Sequence, residues 1–177
     1  MTEREKMLAG ELYDCGDAEL LTQWHKAKDL VRDYNQMNSA DADEKERILN
    51  ELLGGKGKNL WITAPFYVDY GNNIYFGNNC EVNMNCTFLD DNIIRIGDNA
   101  LIAPNVQIYT AFHPTNAVER FGEPKADGSF EFCKTGGARS WLKSILMTEL
   151  CTFSSSASSS ISALICSPFL EIALGKR

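Results

Sequence analysis

The chain has few of the residues that usually carry chemistry. It contains two histidines, His25 and His113. Six cysteines are present, but none stand in C-x-x-C spacing, so the sequence offers no metal or redox motif, and no metal is expected. No disulfide framework is visible either, and a reducing cytoplasm is the expected setting. A basic surplus is missing: 17 Lys and Arg face 24 Asp and Glu, a net charge of −7. That balance argues against nucleic acid and anionic membrane surfaces as partners. No apolar run is long enough to span a bilayer. Glu3, Arg4, Glu5 and Lys6 occupy the start, so no secretory leader is expected.

What the sequence does have is a period of six between residues 64 and 113. Hexads start at Ala64, Tyr70, Phe76, Val82, Phe88, Ile96, Ile102 and Ile108. The fifth positions, Val68, Ile74, Cys80, Cys86, Ala100, Val106 and Phe112, are apolar too, so Cys80 and Cys86 read as small core residues. One insertion of two residues falls around Asp90, Asp91 and Asn92. Gly71-Asn72-Asn73, Gly77-Asn78-Asn79 and Gly97-Asp98-Asn99 take up corner positions, which need residues that tolerate positive φ. Helices would show spacings of three and four, and a sandwich would not hold one short period this long. The pattern predicts a mainly β chain built as a parallel β-helix.

The first 58 residues predict an α-helical cap. Thr2 with Glu5 forms a capping box. Asp17 caps a second helix, whose Leu20, Trp24, Ala27, Val31 and Tyr34 make one apolar stripe that also carries His25. A third helix starts near Asp41 and stops at Gly54-Gly55.

His113 ends the run of coils and can serve as a base near neutral pH. Three hexads make about one turn of such a coil. Asn83, Asn85, Asp90 and Asp91 are therefore expected one coil earlier, stacked beside His113 in a polar pocket suited to a hydroxylated substrate.

Residues 7–14 (MLAGELYD), 69–74 (DYGNNI), 83–86 (NMNC), 96–99 (IGDN) and 103–106 (APNV) resemble the maltose/galactoside O-acetyltransferases, which are hexapeptide-repeat acyltransferases. The resemblance runs to about residue 134. It implies a left-handed parallel β-helix, an exception to the right-handed crossover rule. It implies a homotrimer with active sites between subunits, acetyl-CoA as cosubstrate and a sugar acceptor. By the same resemblance His113 is the catalytic base and Asn83 supports the acceptor and the transition state. Asp69 and Asp91 bind the acceptor, Asp14 and Glu131 are looser matches near it, and Trp141 matches a donor-side position.

The resemblance implies three segments: a helical cap over 1–58, coils over 59–142 with a loop at about 113–134, and an atypical tail over 143–177. Residues 154–160 of that tail read SSSASSS, and no hexad period continues there. A shifted reading frame or replaced terminus is the expected origin. Three readings follow: an active sugar acetyltransferase, an impaired family member with a structural or interaction role, or a related enzyme with another acceptor.

Overall fold

The computed structural model describes residues 1–116, 118, 120, 125–129 and 135–137. Glu131, Trp141 and the tail over 143–177 lie outside the described residues.

Three helices come first: α1 (Glu3–Ala9), α2 (Ala18–Gln36) and α3 (Ala42–Leu52). Their starts are those the capping residues specify. Thr2 and Glu5 exchange both bonds of a capping box, and Gly10 at φ 76° closes α1. Asp17 accepts from the amides of Glu19 and Leu20, and Asp41 from that of Glu44. Leu20, Ala27, Val31 and Tyr34 of the α2 stripe are buried, while Trp24 is half-buried.

The strands are β1 (Leu12–Tyr13), β2 (Gly55–Lys56), β3 (Trp61–Ile62), β4 (Phe66–Val68), β5 (Ile74–Phe76), β6 (Glu81–Val82), β7 (Cys86–Leu89), β8 (Ile94–Ile96), β9 (Leu101–Ile102), β10 (Gln107–Tyr109), β11 (Ala111–Phe112) and β12 (Thr135–Gly137). Nine of them build three parallel sheets, β4-β7-β10, β2-β5-β8 and β3-β6-β9. Phe66 pairs with Cys86, Ile74 with Ile94 and Trp61 with Glu81, so one coil takes twenty residues. Inward side chains fill the axis. Phe88 packs between Phe66 at 6.0 Å and Phe76 at 6.4 Å, and Cys80 and Cys86 are buried with them.

A twenty-residue coil is three hexads plus two, and the extra pair recurs in each coil. It falls after β4, at residues 69–73, as well as after β7. The first hexads are therefore in another phase from the spacing read in the sequence. Ile62 and Val68 point inward, Ala64 is only half-buried, and Tyr70 is buried at a corner. The fifth-position Phe112 is 44% exposed, because it belongs to a separate antiparallel sheet, β1-β12-β11.

Asn residues turn the short corners. Asn59, Asn79 and Asn99 adopt φ of 59°, 56° and 59°, and Asn85 and Asn105 do the same at the next corner. Their amides also stack: Asn59 Nδ2 donates to Asn79 Oδ1 at 2.8 Å, and Asn79 Nδ2 to Asn99 Oδ1 at 3.1 Å.

Helix α2 covers the open edge of β4. Asn35 exchanges two bonds with the Phe66 backbone, Tyr34 donates to Ile62 O at 2.7 Å, and Lys28 donates to Val68 O. A strand edge that would otherwise be left unpaired is satisfied by side chains. No helix among the described residues is long and apolar enough to cross a membrane.

Candidate functional site

Polar side chains concentrate at the long corners after β4 and β7. Asp90 is fully buried and faces back to the corner of the preceding coil. Its Oδ1 accepts from the amides of Asp69 at 3.1 Å and Tyr70 at 2.8 Å, and its Oδ2 from that of Asn73 at 3.3 Å. Asn73 Nδ2 donates to Asp90 O at 2.6 Å in return. Burial pushes the Asp90 carboxyl up to about 7, against the pull of these N–H groups.

Asp91 points the other way, toward α1 and β1. The Tyr13 hydroxyl donates to its Oδ1, while its Oδ2 is buried and accepts no bond from any described residue. Burial raises the Asp91 carboxyl above the ordinary aspartate range. Tyr13 opposes the shift, and the neighbouring Asp69 carboxylate adds to it. Burial and Asp91 together push the Tyr13 phenol upward as well, so it remains a donor.

Asp69 is held from α2. Lys28 Nζ donates to its Oδ1 at 3.0 Å, and Trp24 Nε1 to the same oxygen at 3.3 Å. The Lys28 ammonium also sits 4.8 Å from the centre of the Trp24 ring. Asn92 closes the corner, with its amide donating to Thr110 Oγ1 at 2.8 Å and its Nδ2 to Met7 O and Leu8 O at 3.3 Å each.

His113 is exposed and directly follows β11. The antiparallel sheet ties that strand to the helical segment, because Leu12 and Phe112 both pair with Gly136. Continuing the same register puts His113 in the row of Thr135 and Tyr13, whose hydroxyl holds Asp91. Asp14 is exposed at the end of β1, its amide donating to Glu3 Oε2 at 2.7 Å and its Oδ1 accepting from Gly16.

Asp69, Asp91 and Asp14 thus gather on one side of the coil with His113. Asn83 and Asn85 do not stack there. They form the corner between the β3-β6-β9 sheet and the β4-β7-β10 sheet, on the far side of β7, whose four residues span about 13 Å. Among the described residues the pocket expected to hold Asn83, Asn85, Asp90 and Asp91 beside His113 does not form as a whole, because residues stack at intervals of twenty and Asn83 and Asp91 differ by eight. Asn83 Oδ1 instead accepts from the Met84 amide at 2.9 Å.

Trp24, a member of the apolar stripe, joins the site through its indole N–H, and Tyr13 and Lys28 join it as partners of Asp91 and Asp69 that no motif singles out. Trp24 and Lys28 were accessible in principle, since a cation four residues after an aromatic shares its helix face. His25 is exposed, with its ring edge-on to Trp24 at 5.1 Å. No group of three or more His, Cys, Asp or Glu among the described residues is placed to hold a metal ion.

Residues 6–57 match the maltose acetyltransferase hexapeptide capping motif. Over 144 residues the chain is 32% identical to galactoside O-acetyltransferase of Escherichia coli K12, covering 81% of this chain and 69% of that protein. A crystal structure of a maltose O-acetyltransferase from Clostridium difficile 630 superposes with a TM-score of 0.69 at 39% identity, over 77% of this chain and 68% of that one. A hexapeptide-repeat acetyltransferase of Vibrio cholerae, complexed with acetyl coenzyme A, gives a TM-score of 0.61 at 38% identity over 68% of this chain. The chain spans 64% to 69% of the length of these three proteins.

Proposed function

We propose, for a chain that belongs to the maltose/galactoside O-acetyltransferase family of hexapeptide-repeat acyltransferases, an acetyl-CoA-dependent transfer of an acetyl group to a sugar hydroxyl. The observation that carries the reading is a pair of neighbouring carboxyls at one corner: Asp91, with one oxygen fixed by Tyr13, and the more accessible Asp69, held by Lys28 and Trp24. A carboxylate can accept hydrogen bonds from two sugar hydroxyls at once. Asp69, turned toward the same corner, accepts a second hydroxyl, with Asp14 at the rim.

His113 then removes the proton of the attacking hydroxyl as its oxygen adds to the thioester carbonyl. The tetrahedral intermediate collapses, the C–S bond breaks, and coenzyme A leaves as a thiolate that takes up a proton. Binding of acetyl coenzyme A by the Vibrio cholerae relative supports the choice of donor. Asn83, on another corner, reaches an intermediate held by His113 only from a second subunit, which favours a homotrimer with sites between protomers. The family resemblance, with its hexad period and twenty-residue coils, favours a left-handed β-helix. Free Cys15, Cys80 and Cys86 suit a cytoplasmic enzyme.

The test is coenzyme A release from acetyl-CoA with maltose, glucose and galactosides, run beside His113→Ala. Release that depends on sugar and falls by about 10²–10⁴ in the variant supports the reading. Unchanged release in the variant rejects His113 as base. A second reading, an impaired member with a structural role, is favoured by the loss of hexad period over 145–177, and a folded sample inert toward every sugar supports it.

A further inference from the structure

Asp90 has no part in the chemistry proposed above, yet it is the most enclosed carboxylate described in the chain. Its two oxygens take the amides of Asp69, Tyr70 and Asn73, on both sides of Gly71 at φ 73°. Those amides belong to the corner that carries Asp69. The same corner is gripped from outside: Arg4 Nη2 reaches Asn73 Oδ1 at 3.4 Å, and Asn72 Nδ2 donates to Gln23 at 3.3 Å. Residues 69–73 lie between β4 and β5: Gly71 O accepts from the amides of Gly54 and Ile74 and Asn73 O from that of Ile94, while Asp90 takes the amides of Asp69, Tyr70 and Asn73 and so shares in fixing their path.

We propose that Asp90 is a positioning residue for acceptor recognition, holding the corner at residues 69–73 in the shape that presents Asp69 beside Asp91. This rests on the reading that Asp69 and Asp91 bind the acceptor. The geometry shows why a carboxylate is needed. Its acceptor-only oxygens face N–H groups on both sides, whereas an asparagine would turn its NH₂ toward one of them. Twenty residues later the equivalent position is Thr110, whose single oxygen accepts one amide, that of Asn92, and donates to Leu89 O at 2.8 Å. The corner bearing Asp69 thus receives the larger acceptor.

The experiment is a pair of full-length variants, Asp90→Asn and Asp90→Thr, followed by the indole N–H signals in ¹⁵N–¹H spectra. Trp24 Nε1 bonds Asp69 and reports the corner, while Trp61 Nε1 bonds Thr63 at 3.1 Å and reports the coil wall. The expected result is a displaced Trp24 signal with Trp61 unmoved, and a KM for the sugar raised about tenfold while that for acetyl-CoA stays within about twofold. An unmoved Trp24 signal, or a fall in kcat with the sugar KM unchanged, overturns the proposal. Asp90→Thr copies a side chain the next coil already accepts, so it decides the matter if Asp90→Asn does not fold. A wild-type chain that transfers no acetyl group rejects the proposed function, and the indole signals still decide whether Asp90 sets the corner.

Discussion

The Tyr13 hydroxyl donates to Asp91 across 78 positions of sequence, pinning β1 to the corner after β7. Tyr13→Phe removes the hydroxyl that donates to Asp91, a carboxyl only 6% exposed. The variant should lose about 1–3 kcal/mol of stability in urea titration. The sugar KM should rise as well, because Asp91 is no longer oriented. A stability within 0.5 kcal/mol of wild type, roughly the scatter of surface substitutions, would show that the bond contributes little.

The corner asparagines separate backbone strain from side-chain bonding. Asn79 has φ 56° and bonds both Asn59 and Asn99. Asn79→Gly keeps the conformation and loses the ladder, whereas Asn79→Ala loses both. The alanine variant should be the weaker by roughly 1 kcal/mol or more, and chemical denaturation of the pair measures the difference.

Stability should fall as pH rises through the weakly acidic range. A carboxyl whose pKa is raised on folding binds more protons folded than unfolded, so its contribution declines between about 4 and its folded value. That folded value is about 7 for Asp90, and Asp91 is raised in the same direction. Glu44, Glu46 and Glu51 are shifted downward by their cationic partners, so their effect lies below this window. Urea midpoints measured from pH 5 to 7.5 should drop in the wild type and drop less in Asp91→Asn. Parallel curves would contradict the burial argument.

Phe88 sits at the axis, fully buried between two other rings. Phe88→Ala should cost about 3–5 kcal/mol, far more than Tyr67→Ala on the exposed face of the same sheet. Thermal melts of the two variants provide the comparison.

The helical segment was legible residue by residue, because Thr2, Asp17 and Asp41 act on amides two or three positions away. The coils were legible from their period, yet the first phase was not. Ala64 and Tyr70 happen to fit a spacing of six, which hides the two extra residues at 69–73. His113 and Asp91 were legible from the coil pattern as well as the resemblance, whereas Asp69 came from the resemblance alone. The place expected for Asn83, one coil before His113, fails because a coil takes twenty residues and the chain crosses β7 between Asn83 and Asp91. Asp90 was invisible as a support, since nothing in a run of Asp and Asn tells which side chain turns inward to bond a backbone twenty positions earlier.

Asp90 closing the corner of the coil before it gives synthesis a built-in lag. As the chain leaves the ribosome, the amides of Asp69, Tyr70 and Asn73 wait without their acceptor until twenty more residues have emerged. At ~5–20 residues per second that wait lasts about 1–4 s. Through that interval the nascent first coil has the side chains of α1 and α2, already made, to hold its corner and backbone. The helices that later flank the acceptor corner therefore act first as a nursery for the strand they cover.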